Sequence, residues 1–451
     1  LLAVVILDPW AVLSAGFWLS FGAVAIIAYA LGGRIKRPYW LKEAIQVQWA
    51  ISLGLVPLLL IMFNQISLIS PLANALAIPL VSLVVVPLTL AGSLLQLEWL
   101  LNLAHASITA CMLFLEVLVI WPVTTWQQQA PPPWAMFLAV GGVLWMLLPR
   151  GFPMRWLGLV TFMPLLLVRT ASVPEGAMKV AVLDVGQGLA VVVRTAGHAL
   201  LYDTGPRYSA QSDSGGRIVV PFLRGEGVKS LDGMVVSHDD NDHAGGMSSV
   251  LAQVPVRWVQ SSLPQERMLG LPDTIHQPCI AGRSWTWDRV QFDMLHPTES
   301  RDGNRDKDND LSCVLRVSSQ YGSLLLPGDV ERSAEHALLR TPMPSSDVLV
   351  VPHHGSKTSS TEPFVRKVKP RVAIFAVGYR NRFGHPKEDV VDRYRLIGSD
   401  IYRTDQDGAL LIDFGQQSGI VVRRWRAEAR RYWHDGDIRG AGLLAEIGAA
   451  R

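Results

Sequence analysis

Six runs of this chain, residues 11–31, 45–64, 69–97, 100–121, 134–148 and 156–168, are apolar and nearly free of charge. They leave its first part few ways to fold. A backbone surrounded by hydrocarbon must satisfy its own N–H and C=O groups, and for a single segment only a helix does so. A bilayer takes about 20 apolar residues per helix. The runs are apolar all round, whereas a helix lying on a soluble core keeps a polar face. The run 69–97 carries Pro71, Pro79 and Pro87, which predicts a kinked or broken helix. The run 156–168 is short and spans only if residues 151–155 and Arg169 help at its ends. About six helices are expected.

Basic loops set the orientation. Arg34, Lys36, Arg37 and Lys42 form one, Arg150 and Arg155 another. Four crossings separate them, an even number, so both lie on one side, the cytoplasmic one. A crossing at 156–168 then delivers everything after residue 170 to the outside; without it the second half stays cytoplasmic. The chain opens inside apolar sequence, without an initiator Met or a signal peptide, and so reads as a piece of a longer protein.

Charge is concentrated after residue 176. Hydrophobic residues make up 49% of the whole and charged residues 18%. The net charge of +3 is too small to argue nucleic-acid binding by itself. The charged half turns on Ser237-His238-Asp239-Asp240-Asn241-Asp242-His243-Ala244-Gly245-Gly246. Val235 and Val236 before it end a buried strand, and the two glycines let the backbone pass close to whatever the side chains hold. Imidazoles and carboxylates on one loop are ligands for zinc or manganese. The plainer reading, a solvated turn rich in Asp and Asn, does not account for two histidines at ligand spacing.

His238-x-Asp240-x-Asp242-His243 resembles the HxHxDH signature of the metallo-β-lactamase superfamily, with Asp240 in place of the second histidine. Leu201-Tyr202-Asp203-Thr204-Gly205, Leu326-Pro327-Gly328-Asp329 and Val351-Pro352-His353-His354-Gly355-Ser356 resemble further motifs of that superfamily, in order. Leu183-Asp184-Val185-Gly186-Gln187-Gly188 and Phe383-Gly384-His385-Pro386 narrow the resemblance to the ComEC family of DNA-internalisation competence proteins. The resemblance implies a polytopic α-helical membrane domain, 1–172, followed by an α/β metallo-β-lactamase-like αββα sandwich, 176–430, and a basic tail, 431–451. Periodicity alone gives only α/β with mixed sheets, with helical stretches near 216–225, 246–253, 331–340 and 387–396.

The same resemblance implies a ligand set for one or two divalent metal ions. His238 and Asp240 would hold a first ion, Asp242, His243 and His354 a second, and Asp329 would bridge them. Were His353 and His354 strand-like, only one of them could be a ligand. His354 is the choice, with His353 contacting a ligand residue or substrate. The family's third-motif histidine has no counterpart. Asn309-Asp310-Leu311-Ser312 stands at that point, and His296 reads as a strand-end turn residue. Asp203 would orient a ligand histidine. Asp184 and Gln187 either line the site or fix a hairpin. Ser356 and Lys357 would contact phosphate. His385 would give a proton to the leaving group, contact phosphate, or only cap a turn.

Two metals activate water and clamp a phosphoryl oxygen. Asp240 for His makes the site harder, which favours Mn2+ without excluding Zn2+. The implied substrate is single-stranded DNA, and the expected catalytic residues are Asp242, His385 and Lys357. Arg380, Arg382, Arg423, Arg424 and Trp425 interleave cations with aromatics, a pattern for single strands, or for a solvated basic tail. The implied role is DNA uptake in natural transformation by a multi-pass protein of the bacterial inner membrane. Its outer domain would degrade the strand not transported, alongside other DNA-uptake proteins. The alternatives are a transporter whose second domain only binds substrate, and a membrane-anchored phosphodiesterase acting on envelope polymers. Cys279 and Cys313, the two cysteines of the second half, pair as a disulfide if that half meets an oxidising compartment, or stay buried thiols.

Overall fold

The computed structural model describes residues 1–32, 40–120, 124–149, 151–168, 172–264, 275–298, 308–416, 419–431 and 434. Most of the basic loop at 34–42, Arg150, Arg169 and nearly all of the tail lie outside these residues. The chain divides into two compact units, Leu1–Thr170 with Arg224–Gly227, and Ala171–Leu223 with Val228–Arg451.

Among the described residues of the first unit, four helices are long and apolar enough to cross a membrane: Ala15–Gly32, Ile45–Phe63, Ser70–Leu95 and Glu98–Val119. Many of their large side chains face outward; Leu83, Leu90, Leu94 and Leu113 are all largely exposed, as lipid contact requires. Ser70–Leu95 has the irregularity its prolines predict. Pro79 lies inside the α-helix Ser70–Leu80, which continues through a π-turn at Val81–Val85 into Val86–Leu95, with Pro87 in the first turn. A proline removes one N–H and crowds the preceding turn, and a wider turn absorbs the mismatch.

Four of the six expected apolar runs form these long helices, and the other two form shorter ones, Pro133–Leu147 and Leu157–Leu167. The second of these is interrupted, as Leu157–Val160 and Met163–Leu167. Pro164 in its last turn has no N–H to continue the ladder. At about 1.5 Å per residue the segment reaches roughly half the hydrocarbon thickness of about 30 Å.

The core of the second unit lies between two mixed sheets face to face. One has eight strands, in the order Ile275–Pro278, Trp258–Ser261, Gly233–Val236, Ala199–Tyr202, Val191–Arg194, Met178–Val182, Leu410–Gly415, Gly419–Arg424. The other has seven: Ser284–Trp287, Val290–His296, Val314–Ser319, Gly322–Leu326, Val348–Val350, Val372–Phe375, Asp400–Arg403. Alternation sets the inner layer. In Val290–His296 the buried residues are every second one, and Val290, Phe292 and Met294 meet Val180, Val191 and Leu200 between the sheets. Outer layers follow from strands buried on both faces. Leu201, Met234 and Val236 pack under the helix Met247–Gln253, and Leu325, Leu349 and Phe375 under Arg332–Leu339, Glu362–Val368 and Glu388–Leu396. This is the αββα sandwich. The helix Glu362–Val368 is one that periodicity did not pick out.

Sheet strands end together at one rim, where Asp203, Ser237, Asp329 and Val351 follow the strands Ala199–Tyr202, Gly233–Val236, Gly322–Leu326 and Val348–Val350. Cys279 and Cys313 form a disulfide with Cα atoms 5.7 Å apart. Cys313 also donates its backbone N–H to the Ser237 carbonyl at 3.0 Å, next to the rim.

Candidate metal centre

The strand Gly233–Val236 delivers Ser237 and His238 into the rim, both fully buried. The chain then turns into the single helical turn Asn241–Ala244. Asp240 stands at its N-cap without using its side chain as a cap, and its Oδ2 lies 3.4 Å from His238 Nε2. Gly245 and Gly246 are needed for close approach. A Cβ on Gly246 would sit 2.5 Å from the backbone N of Gly215, and one on Gly245 2.3 Å from that of Arg207.

Asp329 enters from the opposite sheet on a turn held by its N–H to Ser312 Oγ, 3.1 Å. Gly328 before it adopts φ +60, and a Cβ there would meet Ser237 and Ser312, both at 2.9 Å. The pair His353 and His354 is not strand-like. Both sit in the turn Pro352–Gly355 with φ of 50 and 54. A left-handed conformation costs a non-glycine residue about 1–3 kcal/mol, so the rest of the fold holds the turn in place. The strand-like condition under which only one of the pair could be a ligand is therefore not met. Both rings approach Asp329 Oδ2, His354 Nε2 at 3.6 Å and His353 Nε2 at 3.8 Å. They differ in surroundings. His354 is buried, whereas His353 is partly exposed and bonded to Thr358 Oγ1 at 3.1 Å.

Two groups of ligand atoms result, each with its members within 4.8 Å of one another: His238, His243 and Asp329, and Asp242, His243 and His354. His243 Nε2 is 3.1 Å from Asp329 Oδ1 and 3.2 Å from His354 Nε2, and His354 Nε2 is 3.3 Å from Asp242 Oδ2. Bonds behind the rings fix their tautomers. His243 Nδ1–H donates to Asp203 Oδ2 at 2.7 Å and His354 Nδ1–H to the Ala376 carbonyl at 2.7 Å, so both Nε2 atoms face the cluster.

Burial works against ionisation of Asp329, but His243 and His354 outweigh it and hold the carboxyl well below its usual range. Burial likewise opposes charge on His243, yet Asp329 and Asp203 raise it well above the ordinary imidazole value. Asp242 is pushed down to about 2 despite its burial, chiefly by His354 and His243. In this cluster the positive charge that the carboxylates favour sits on the imidazoles, and a divalent cation bound through their Nε2 atoms would supply it in place of those protons. The fit is supported by one atom in particular: His238 Nε2 is buried and makes no hydrogen bond, a condition few buried nitrogens tolerate.

At the missing third-motif histidine the structure places Ser312 Oγ, 3.4 Å from His238 Nδ1. Asn309 lies in the short helix before it, Asp308–Leu311. His296 is engaged elsewhere, its Nε2 2.7 Å from the Asp310 carbonyl. Ser237 was not among the expected residues. Its Oγ donates to Asp203 Oδ2 at 2.8 Å and lies 2.9 Å from His238 Nδ1. The available signal was a hydroxyl between a buried strand and the first histidine.

Other expected residues fall beside the cluster or away from it. Asp184 Oδ2 pairs with Arg426 at 2.7 Å, and Gln187 Oε1 accepts from the Gly378 N–H at 3.3 Å, so both tie loops together. Ser356 Oγ meets Thr358 Oγ1 at 3.1 Å. Lys357 is exposed, with Nζ 3.7 Å from Asp389. His385 lies beside His353, ring centroids 6.1 Å apart. Burial first, then His354, His353 and Lys387, push its imidazole down to about 4. Arg380 and Arg382 lie over the exposed rings of Tyr379 and Phe383, at 5.1 and 4.8 Å. Arg423 faces Asp413 and Glu428, and Arg424 faces Asp407, which neutralises both, while Trp425 is exposed.

Residues 1–153 match the family described as "Competence protein", and residues 183–379 match the metallo-β-lactamase superfamily. "Competence protein ComA" of Neisseria gonorrhoeae is 38% identical over 446 residues, covering 96% of this chain and 60% of that protein. "Uncharacterized protein YcaI" of Escherichia coli (strain K12) is 33% identical, covering 96% of this chain and 58% of that one. "ComE operon protein 3" of Bacillus subtilis (strain 168) is 26% identical, covering 93% and 58%. The chain thus spans less than two thirds of the length of each of these relatives. With its membrane helices matching one family and its sandwich the other, the chain belongs to the competence protein family and carries a metallo-β-lactamase domain.

Proposed function

We propose that this chain is part of a bacterial DNA-uptake protein. In this reading the helical unit passes single-stranded DNA through the inner membrane. The sandwich lies on the extracytoplasmic side, hydrolyses phosphodiester bonds of the strand not taken in, and works with other uptake proteins. The observation that carries the hydrolytic part is the buried, unbonded His238 Nε2 facing a cluster of acidic carboxylates and basic imidazoles. Membership of the competence family supports the substrate, and the Cys279–Cys313 disulfide supports an oxidising compartment.

His238, Asp240, Asp242, His243, Asp329 and His354 would hold one or two divalent cations, Mn2+ or Zn2+. Such ions polarise a phosphoryl oxygen and acidify water at neutral pH. The chain's own part is orientation. Asp203 and the Ala376 carbonyl hold protons on the Nδ1 atoms of His243 and His354. Asp329 presents one oxygen towards His243 and the other towards His354. His385, neutral at pH 7, offers hydrogen bonding to a phosphate oxygen rather than an imidazolium proton. Arg380 and Arg382, each over a ring, offer charge to the phosphate backbone beside stacking surface.

The test is cleavage of single-stranded DNA by the full chain in detergent, with Mn2+, with Zn2+ or with chelator. Cleavage with metal, lost with chelator and in Asp242→Ala, is the expected result. Cleavage undiminished in that variant removes the cluster from the mechanism. A second reading, a domain that binds DNA without cutting it, is favoured by Ser312 standing where relatives of the superfamily carry a third histidine. It predicts metal-dependent binding with no cleavage by any ion.

A further inference from the structure

Away from the cluster, a cavity of about 390 Å³ opens between edge strands of the two sheets, within the ~300–1,000 Å³ of small-molecule sites. Trp258 and Gln260 line it from one strand, Ile275 and Gln277 from the next, and Trp285 and Trp287 from the opposite sheet. The parallel register sets Ile275 beside Trp258 and Gln277 beside Gln260, so the four share one face. The indoles are braced. Trp285 stacks on Phe292 at 5.2 Å, Trp287 stacks on His198 at 5.0 Å, and Trp258 stands edge-on to Trp285 at 5.3 Å.

Three tryptophans closing a sheet edge would need no further comment. Two polar atoms among them do. Gln260 is 6% exposed and its Oε1 is buried without a hydrogen-bond partner. Trp285 Nε1–H is buried without one as well. Each unpaired buried group costs about 1–3 kcal/mol, and native proteins keep few of them. One lone acceptor and one lone donor, on two residues that line a cavity walled by indoles, match a planar ring that carries an N–H beside an acceptor. Arg283, which donates to Gln277 Oε1 at 2.7 Å, adds positive charge at the same cavity.

We propose that this cavity is a nucleobase-binding site: one base of a single strand, or a free nucleotide, stacks on the indoles, donates its N–H to Gln260 Oε1 and accepts from Trp285 Nε1. The proposal extends the nucleic-acid reading to a second contact. Binding needs no metal, so it is tested with the metal cluster stripped, and its failure is separate from failure of hydrolysis.

The full chain in detergent, with chelator, is titrated with deoxyadenosine monophosphate and with a short single-stranded oligodeoxynucleotide, following tryptophan quenching and equilibrium dialysis. Trp285→Phe keeps a ring and loses the donor, and Gln260→Met keeps the volume and loses the acceptor. Each is expected to weaken binding by about 3–10-fold, one neutral hydrogen bond's worth, without lowering thermal stability. Binding of the mononucleotide assigns the site to free nucleotides as well as strands, and binding of the oligonucleotide alone assigns it to strands. Unchanged binding in both variants, no binding by either probe, or preference for a neutral monosaccharide would overturn the proposal. A variant that unfolds is replaced by Trp258→Phe, for which weaker quenching with unchanged dialysis affinity would equally overturn it.

Discussion

Asp203 Oδ2 and His243 Nδ1 lie 2.7 Å apart, both side chains fully buried, and this contact aims the histidine. Asp203 holds a left-handed φ of 59 and also accepts from the Ser237 N–H at 2.6 Å and from its hydroxyl. One carboxylate therefore positions both the strand end that carries His238 and the ring of His243. Partners behind ligand histidines are worth about 10–100-fold in metal affinity. Asp203→Asn should weaken Mn2+ or Zn2+ binding by that factor, measured by competition with a chromophoric chelator, while thermal unfolding without metal shifts much less. Unchanged affinity would mean that His243 is not a ligand.

The low value for His385 fixes the sign of a pH experiment. Burial and the neighbouring His354, His353 and Lys387 disfavour its charged form, with the midpoint pushed down to about 4. Above that pH the ring is neutral and its charge does not change. The activity lost in His385→Asn, about 10-fold if one hydrogen bond to substrate is removed, should be the same factor at pH 6 and pH 8. Rate profiles of both proteins check this. An acid limb between pH 6 and 8 present only in the wild type would show that His385 titrates there and works as a proton donor.

Local spacing made much of the centre legible. His238, Asp240, Asp242 and His243 lie on one strand end and one helical turn, so their proximity is written in six consecutive positions. Asp329 and Asp203 each follow an apolar strand, and a strand end at a rim is a repeated device. What spacing could not give depends on partners far along the chain. The histidine pair looked strand-like because it continues Val348–Val350, whereas Pro352 and Gly355 bound a left-handed turn instead. Arg423 and Arg424 read as free cations until Asp413, Glu428 and Asp407 faced them. The tryptophan cavity draws on three strands in two sheets, and no single segment announces it. The break in 156–168 comes with close packing that spacing did not show either. A Cβ on Gly158 would sit 2.4 Å from the Gly142 carbonyl, so this segment lies backbone to backbone against Pro133–Leu147.

That break makes orientation a sharp experiment. A disulfide argues for an oxidising compartment, while an interrupted helix of eleven residues, Leu157–Leu167, is short for a crossing. The proposed function requires the sandwich outside. Alkaline phosphatase fused after residue 176 should be active and a cytoplasmic reporter at the same point silent. The reverse result would place the cluster in the cytoplasm and remove the geometry on which strand degradation during uptake depends.

The disulfide itself carries the last prediction. Cys279 and Cys313 are 34 residues apart in sequence and join the segment after the edge strand Ile275–Pro278 to the start of Val314–Ser319. Closing a loop of that size in the unfolded chain is worth about 3–4 kcal/mol. Cys313 also anchors the site, because its N–H bonds the Ser237 carbonyl and Ser312 Oγ beside it holds the N–H of Asp329. Reduction, or Cys279→Ser with Cys313→Ser, should therefore lower thermal stability, and should weaken metal affinity more than a comparably destabilising cut in the outer helix layer, such as Phe364→Ala, which empties a fully buried ring position at a cost of about 3–5 kcal/mol. Thermal unfolding and chelator competition, each with and without reductant, give both readouts. Equal loss of stability in the two variants with metal affinity untouched would confine the disulfide to a stabilising role, and thiol labelling of both cysteines in unfolded, unreduced protein would show that the bond does not form.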